Sequence, residues 1–169
     1  MVINSDEKVI IRRVTDKDIS AIHNIYSYYV LNSISTFEEE VPSVLEMSRR
    51  VDEVINNSLP YLVLEKDNTI IGYAYLTKFS YRSAYRFTVE NSIYLNQDNL
   101  GKGYGILLAK ALIAKARLLN IHSIIAKIST SVSIEFHKRL GFNNVGTLKK
   151  VGYKFDKWID VTLMQLNVK

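Results

Sequence analysis

Three glycines at alternate positions, Gly101-Lys-Gly103-Tyr-Gly105, have the spacing of a site rather than of a simple turn. They precede a strongly apolar helical segment, so that helix begins without a side-chain cap and its first N–H groups have no intrahelical acceptor. Those donors, the positive end of the helix dipole and neighbouring Lys102 make an anion site, and glycine lets a phosphate approach the backbone closely. A phosphate-bearing cofactor suits such a loop; a glycine turn that only reverses the chain is the alternative. Two nucleotide motifs are excluded by position. Ile106 stands where G-x-G-x-x-G needs its last glycine, and Lys102 is followed by Gly103 rather than by the Ser or Thr of a P-loop. No acidic residue follows to hold a ribose hydroxyl.

Charge reinforces the first reading. From Asn99 to Ile134 there is no Asp or Glu, while Lys102, Lys110, Lys115, Arg117 and Lys127 carry five positive charges, as many as the net +5 of the whole chain. The segment favours an anion, with a solvated basic helix face as the alternative. Nucleic acid is not expected, because no nucleic-acid motif is present and the segment's apolar residues must be buried. The chain has no cysteine, which removes disulfides, thiolate metal sites and thiolate nucleophiles. His23 and His122 lack a spaced ligand partner, so no metal is expected. A serine nucleophile is disfavoured because no G-x-S-x-G elbow occurs.

These groups need a scaffold. At 169 residues, 47% hydrophobic, with seven Gly and two Pro, the sequence fits a single domain over 1–169. The start, Met1-Val-Ile-Asn-Ser-Asp-Glu-Lys, lacks a basic and then apolar leader, and the apolar runs near Ile106 and Ala111 are too short to cross a bilayer. A cytoplasmic protein without membrane partners is the expectation.

The spacing predicts a strand over 9–14, a capping box at Thr15 and Asp18, and a helix buried through Ile19, Ile22, Ile25, Tyr26, Tyr29 and Val30. Ser43 and Glu46 repeat the capping pattern before a helix whose apolar stripe is Val44, Met47, Val51 and Ile55. Residues 61–65 and 70–77, separated by Lys66-Asp67-Asn68-Thr69, read as a hairpin. In the strand over 86–96, Phe87, Val89, Asn91, Ile93 and Leu95 face one way, and Thr88, Glu90, Ser92 and Tyr94 form the more polar face. A helix over 103–119, a buried strand over 123–128, a short helix over 133–140 and two strands broken near Gly152 and Asp156 complete the order βααβββαβαββ. The fold class is α+β, a mixed and mostly antiparallel sheet flanked by helices on both sides.

The loop Leu100-Gly-Lys-Gly103-Tyr-Gly105 resembles the Gln/Arg-x-x-Gly-x-Gly/Ala loop of the GNAT acetyltransferases, with Leu100 in place of the polar first residue. Phe136-His-Lys-Arg-Leu-Gly-Phe142 resembles the superfamily's Phe-Tyr-x-x-Leu-Gly-Phe, with His137 in place of tyrosine. Ser35-Thr36-Phe37, Arg82 through Glu90, Phe136 through Phe142, and Gly146 through Val161 together resemble the phosphinothricin N-acetyltransferase group, nearly end to end. One segment departs from that group: Ile128-Ser-Thr-Ser-Val-Ser133 is shorter than the usual loop and lacks its Asn, leaving Ser129, Thr130 or Ser131 as substitutes.

The resemblance implies a GNAT-type fold, acetyl-CoA as donor, and transfer to the α-amino group of a small analogue such as phosphinothricin, methionine sulfoximine or methionine sulfone. Another small amine, a peptide N-terminus or a non-catalytic acetyl-CoA sensor is the alternative. It implies Glu90 as the base, acting through a water held by Thr88 and Ser92, and His137 as a donor toward the departing sulfur or an orienter of the amine. It implies cofactor contacts at Ile93, Leu95, Leu100, Gly101, Lys102, Gly103, Tyr104, Gly105 and Ile106, with a backbone N–H between Ser92 and Leu95 polarising the thioester. It implies acceptor contacts at Phe37, Arg82 and Tyr85, Arg supplying a planar fork for an anionic group. It also implies a homodimer, to which the aromatic C-terminal hairpin would contribute.

Overall fold

A computed structural model describes residues 8–168, so the expectation about the first residues of the sequence lies outside it. The elements are β1 (Val9–Arg13), α1 (Ile19–Asn32), α2 (Val44–Asn56), β2 (Tyr61–Lys66), β3 (Thr69–Lys78), β4 (Thr88–Leu95), α3 (Tyr104–Leu118), β5 (Ser123–Ile128), α4 (Ser131–Arg139), β6 (Asn143–Lys154) and β7 (Lys157–Asn167). They follow the expected order and form one seven-stranded sheet, β1-β2-β3-β4-β5-β7-β6. All the pairings are antiparallel except β4 with β5. No helix among the described residues is long and apolar enough to cross a membrane.

Helix entry follows the sequence signals. Thr15 and Asp18 form the capping box, and Arg12 grips Asp18 at 2.7 and 2.8 Å, which holds that carboxyl below its ordinary value. Ser43 accepts the Glu46 N–H at 3.1 Å. The buried stripe of α2 is Met47, Val51 and Val54, whereas Val44 and Ile55 face solvent. The turn between β2 and β3 places Asp67 and Asn68 at positive φ, as a two-residue hairpin requires.

The two faces of the sheet differ in chemistry. Tyr61, Tyr73, Tyr75 and Tyr94 stack across β2, β3 and β4, and Tyr26 and Tyr29 of α1 meet Tyr94 edge-on at 5.3 and 5.2 Å. The sheet face that carries Thr88, Glu90, Ser92 and Tyr94 is therefore largely aromatic across β2 and β3 and is covered by α1 and α2. The alternation along β4 is as expected; at Tyr94 the polar face gives way to aromatic packing, because a tyrosine buries its ring and keeps a hydroxyl. On the opposite face, Leu95 packs beside Gly105 of α3 and Asn91 meets His137 of α4.

Two further boundaries differ from expectation. Helix α4 begins two residues early because the Thr130 side chain accepts the Ser133 N–H and caps it. Near Gly152 the chain does not break but shifts register between Leu148 and Gly152, where Lys150 has φ 51 and donates its N–H to Asp160 at 2.9 Å.

Candidate active-site cleft

Strand β4 pairs with β5 only from Thr88 to Glu90, against Ser123 to Ile125. Beyond that the strands part, and a cleft of about 720 Å³ opens between Asn91–Leu95 on one side and Ala126–Ser129 on the other. Its remaining wall comes from Leu100, Gly101, Gly103, Gly105 and Ile106 and from Ser131, Ser133, Phe136, His137 and Arg139 of α4. The cleft thus runs from a sheet edge to the start of α3.

Backbone parity decides which groups face it. Phe79 donates its N–H to Thr88 O, and Asn96 donates to Ile71 O, so the even-numbered residues of β4 bond to β3. The N–H and C=O groups of Asn91, Ile93 and Leu95 are consequently turned to the open edge. Leu95 O takes the Tyr29 hydroxyl at 2.7 Å. At the other end, Gly101 and Gly103 hold φ of 72° and 87°, conformations that favour glycine, while Gly105 is needed for space: a Cβ there would lie 3.2 Å from the Phe136 ring and 3.4 Å from Leu95. The loop offers N–H groups at a helix start, as expected for an anion site.

The basic segment contributes less than its composition suggests. Of its cations only Lys127 lines the cleft; Lys102 does not, and Lys110, Lys115 and Arg117 are exposed on α3. The cleft's other cation, Arg139, lies outside that segment and has no signal in the sequence beyond its place in the Phe136–Phe142 motif. Tyr104 is buried with Lys66 over its ring at 5.6 Å, so its side chain belongs to the core. In the short loop after Ile128, Ser129 donates to Ile34 O at 2.5 Å and Thr130 caps α4, while Ser131 lines the cleft.

Glu90 stands at the fork of the strands with Oε1 2.8 Å from Lys127 Nζ. It borders the cleft through that partner and through Ser92, which lines the cleft and bonds Tyr75. His137 lies in the last turn of α4, not at a helix start, and is buried. Its Nδ1 sits 2.8 Å from Ser133 O, which can only accept, so the proton is on Nδ1 and Nε2 is a lone pair accepting from Asn91 Nδ2 at 3.1 Å. Burial pushes the imidazole below its ordinary value and keeps it neutral. In that state Nε2 has no proton to give to a leaving sulfur.

The three expected acceptor residues do not line the large cleft. Phe37 lies on Gly152 of β6. The loop carrying Phe37 is pinned by Lys154, whose buried ammonium donates to Ser33 O at 2.8 Å and Thr36 O at 2.9 Å. Arg82 and Tyr85 are exposed in the loop between β3 and β4, where the Tyr85 ring meets Phe79 at 5.3 Å. A second cavity of about 300 Å³, unmarked in the sequence, lies against α2 and is lined by Tyr26, Arg50, Tyr61, Tyr73, Tyr75 and Thr77 among others. Thr77 faces Glu90 across the β3–β4 ladder. Among the described residues no cluster of His, Asp and Glu is suited to a metal ion.

Residues 11–163 match the acetyltransferase (GNAT) domain model. The chain is 42% identical to a phosphinothricin N-acetyltransferase of Alcaligenes faecalis over 92% of its own length and 80% of that protein's. It is 34% identical to an L-methionine sulfoximine/L-methionine sulfone acetyltransferase of Pseudomonas paraeruginosa, over 89% and 90% of the two chains. The crystal structure of a GNAT superfamily phosphinothricin acetyltransferase from Sinorhizobium meliloti in complex with acetyl-CoA superposes with a TM-score of 0.92 at 38% identity, covering 94% of this chain and 88% of that one.

Proposed function

The chain belongs to the GNAT acetyltransferase family, an acetyl-CoA-dependent class, and on that premise we propose that it acetylates the α-amino group of a small amino-acid analogue of the phosphinothricin, methionine sulfoximine or methionine sulfone type. The observation that carries the reading is the splayed edge of β4, which joins a glycine-initiated helix at one end and a carboxylate at the other.

The cleft fits the donor. Gly101, Gly103 and Gly105 leave the backbone open to a pyrophosphate, Arg139 adds a cation, and the odd-numbered edge of β4 offers main-chain groups to an amide-bearing arm. Acetyl-CoA supplies a thioester activated for attack by a neutral amine. The Ile93 and Leu95 N–H groups face the open edge and are suited to hold the thioester oxygen, which narrows the expected 92–95 stretch to two groups. Glu90, paired with Lys127, accepts the amine's proton through a water held near Ser92. His137 acts by position: its lone pair fixes Asn91. Phe37 walls the acceptor, and Arg82 and Tyr85 hold its anionic end from the β3–β4 loop. The exposed Leu148, Val151, Tyr153 and Trp158 of the β6–β7 hairpin support a homodimer, which sedimentation would check.

A CoA-release assay across amino-acid analogues, polyamines and peptide N-termini tests the reading. The analogues should be the best acceptors, and Arg82→Ala should raise their KM about tenfold while leaving acetyl-CoA affinity intact. Faster turnover of polyamines or peptides, unaffected by Arg82→Ala, would overturn the acceptor class; no CoA release with any amine would overturn catalysis.

A further inference from the structure

Among the described residues that line the cleft, Asn91 carries a buried side-chain oxygen with no hydrogen-bond partner. Its Nδ2 is committed to His137 Nε2, and its Oδ1 is buried without a partner. A buried acceptor left unpaired is costly, and native side chains are rarely left so. Asn91 shares its face of β4 with Ile93 and Leu95, and all three line the same cleft. The orientation of the amide is not free: Ser133 O fixes the proton on His137 Nδ1, the resulting lone pair on Nε2 demands a donor, and only Nδ2 can supply it. Oδ1 is thereby left as an unpaired acceptor on a residue that lines the cleft. The cleft is meant for acetyl-CoA, whose arm carries two amide N–H donors and no cation, and a neutral buried acceptor matches such a donor.

We propose that Asn91 Oδ1 accepts an amide N–H of the pantetheine arm, and that His137 with Ser133 is the device that presents it. This rests on the acetyl-CoA reading above. It makes His137 a positioning residue, and it ties the carbonyl of Ser133 to recognition of a group in the cleft.

The experiment is a cycle on both partners, read by calorimetric binding rather than by turnover. CoA, two CoA analogues in which one or the other arm amide is replaced by an ester, and 3′-phosphoadenosine 5′-diphosphate, which lacks the arm, are titrated into wild type, Asn91→Leu and Asn91→Asp. For wild type one ester analogue should bind about tenfold more weakly than CoA, the value of one hydrogen bond, and Asn91→Leu should not distinguish that analogue from CoA. Asn91→Asp keeps the acceptor and should still discriminate, while raising the His137 imidazole titration seen by NMR, because its carboxylate cannot donate to Nε2. The armless nucleotide should bind all three proteins alike, which certifies the fold. Equal discrimination by wild type and Asn91→Leu, with CoA bound, overturns the assignment of Asn91 alone; failure of wild type to bind CoA overturns the acetyl-CoA reading itself.

Discussion

Gly152→Ala offers a test of the acceptor wall without touching a reacting group. Gly152 has no left-handed φ, so its backbone accepts alanine; what it lacks is room. A Cβ there would lie 2.6 Å from Phe37 Cζ and 2.8 Å from Cδ2, with Cε2 nearer still. Ordinary carbon contact is about 3.7 Å, so the ring must retreat by roughly 1.5 Å at its nearest carbon, Cε2. Phe37 is 40% exposed, and its ring can swing toward solvent. The stability cost should therefore sit at the low end of overpacking, about 1 kcal/mol, or a Tm lower by roughly 2–4 °C. Function should suffer more, because misplacing a positioning group by about 1 Å can cost up to 10²-fold. Steady-state CoA release should show kcat/KM for the amine lowered by about 10–100-fold with acetyl-CoA affinity unchanged. In a Phe37→Ala background the same Gly152→Ala change should have little further effect. An unchanged kcat/KM for the amine in the single variant, with Tm shifted as expected, would refute Phe37 as a wall of the acceptor site.

Glu90→Gln should lower turnover at neutral pH by about 10²–10⁴-fold with little change in acetyl-CoA affinity, and activity should recover as pH rises past about 8 and the amine deprotonates unaided; unchanged turnover at pH 7 would reject the base. Gly101→Val meets no neighbour but must hold φ 72°, so about 1–2 kcal/mol of backbone strain should distort the loop and weaken acetyl-CoA binding at least about tenfold by calorimetry; retained affinity would remove the loop from the donor site. Burial holds the His137 imidazole below its ordinary value, so the unfolded chain takes up that proton first as pH falls. Its contribution to stability is present above about 6.5 and is lost on acidification through the lower folded value. Urea unfolding from pH 7.5 to 5 should show a smaller loss for His137→Asn than for wild type, and equal losses would contradict a buried neutral imidazole.

The element order was legible because each signal is local: a capping Thr15 or Ser43, alternation along β4, a turn at Asp67-Asn68. The errors arose where identity in isolation misleads. Tyr94, placed on the more polar face of β4, proved to belong to a stacked tyrosine layer, since a ring's burial depends on the strands placed beside it. Val54 replaced Ile55 in the α2 stripe because the helix's rotation is set by tertiary packing. Within the site, the glycines and Glu90 announced themselves by spacing and by resemblance. Asn91 did not: its meaning depends on His137, 46 residues away, and on which nitrogen of that ring carries the proton. The acid-free, basic stretch from Asn99 to Ile134 promised more cations than the cleft receives, because sequence neighbours on a helix point in different directions.

The Lys154 anchor has a bearing on how the molecule is made. Its ammonium reaches carbonyls 121 and 118 residues earlier in the chain, and the β6–β7 hairpin that carries the lysine joins the sheet through the pairing of β7 with β5. Contacts of such sequence separation close late, after local helices and the β2–β3 hairpin. A nascent chain emerging from the ribosome can thus assemble the tyrosine layer and the glycine-initiated helix while the Phe37 loop still lacks its anchor. Of the proposed site, the Phe37 loop is therefore the part anchored last.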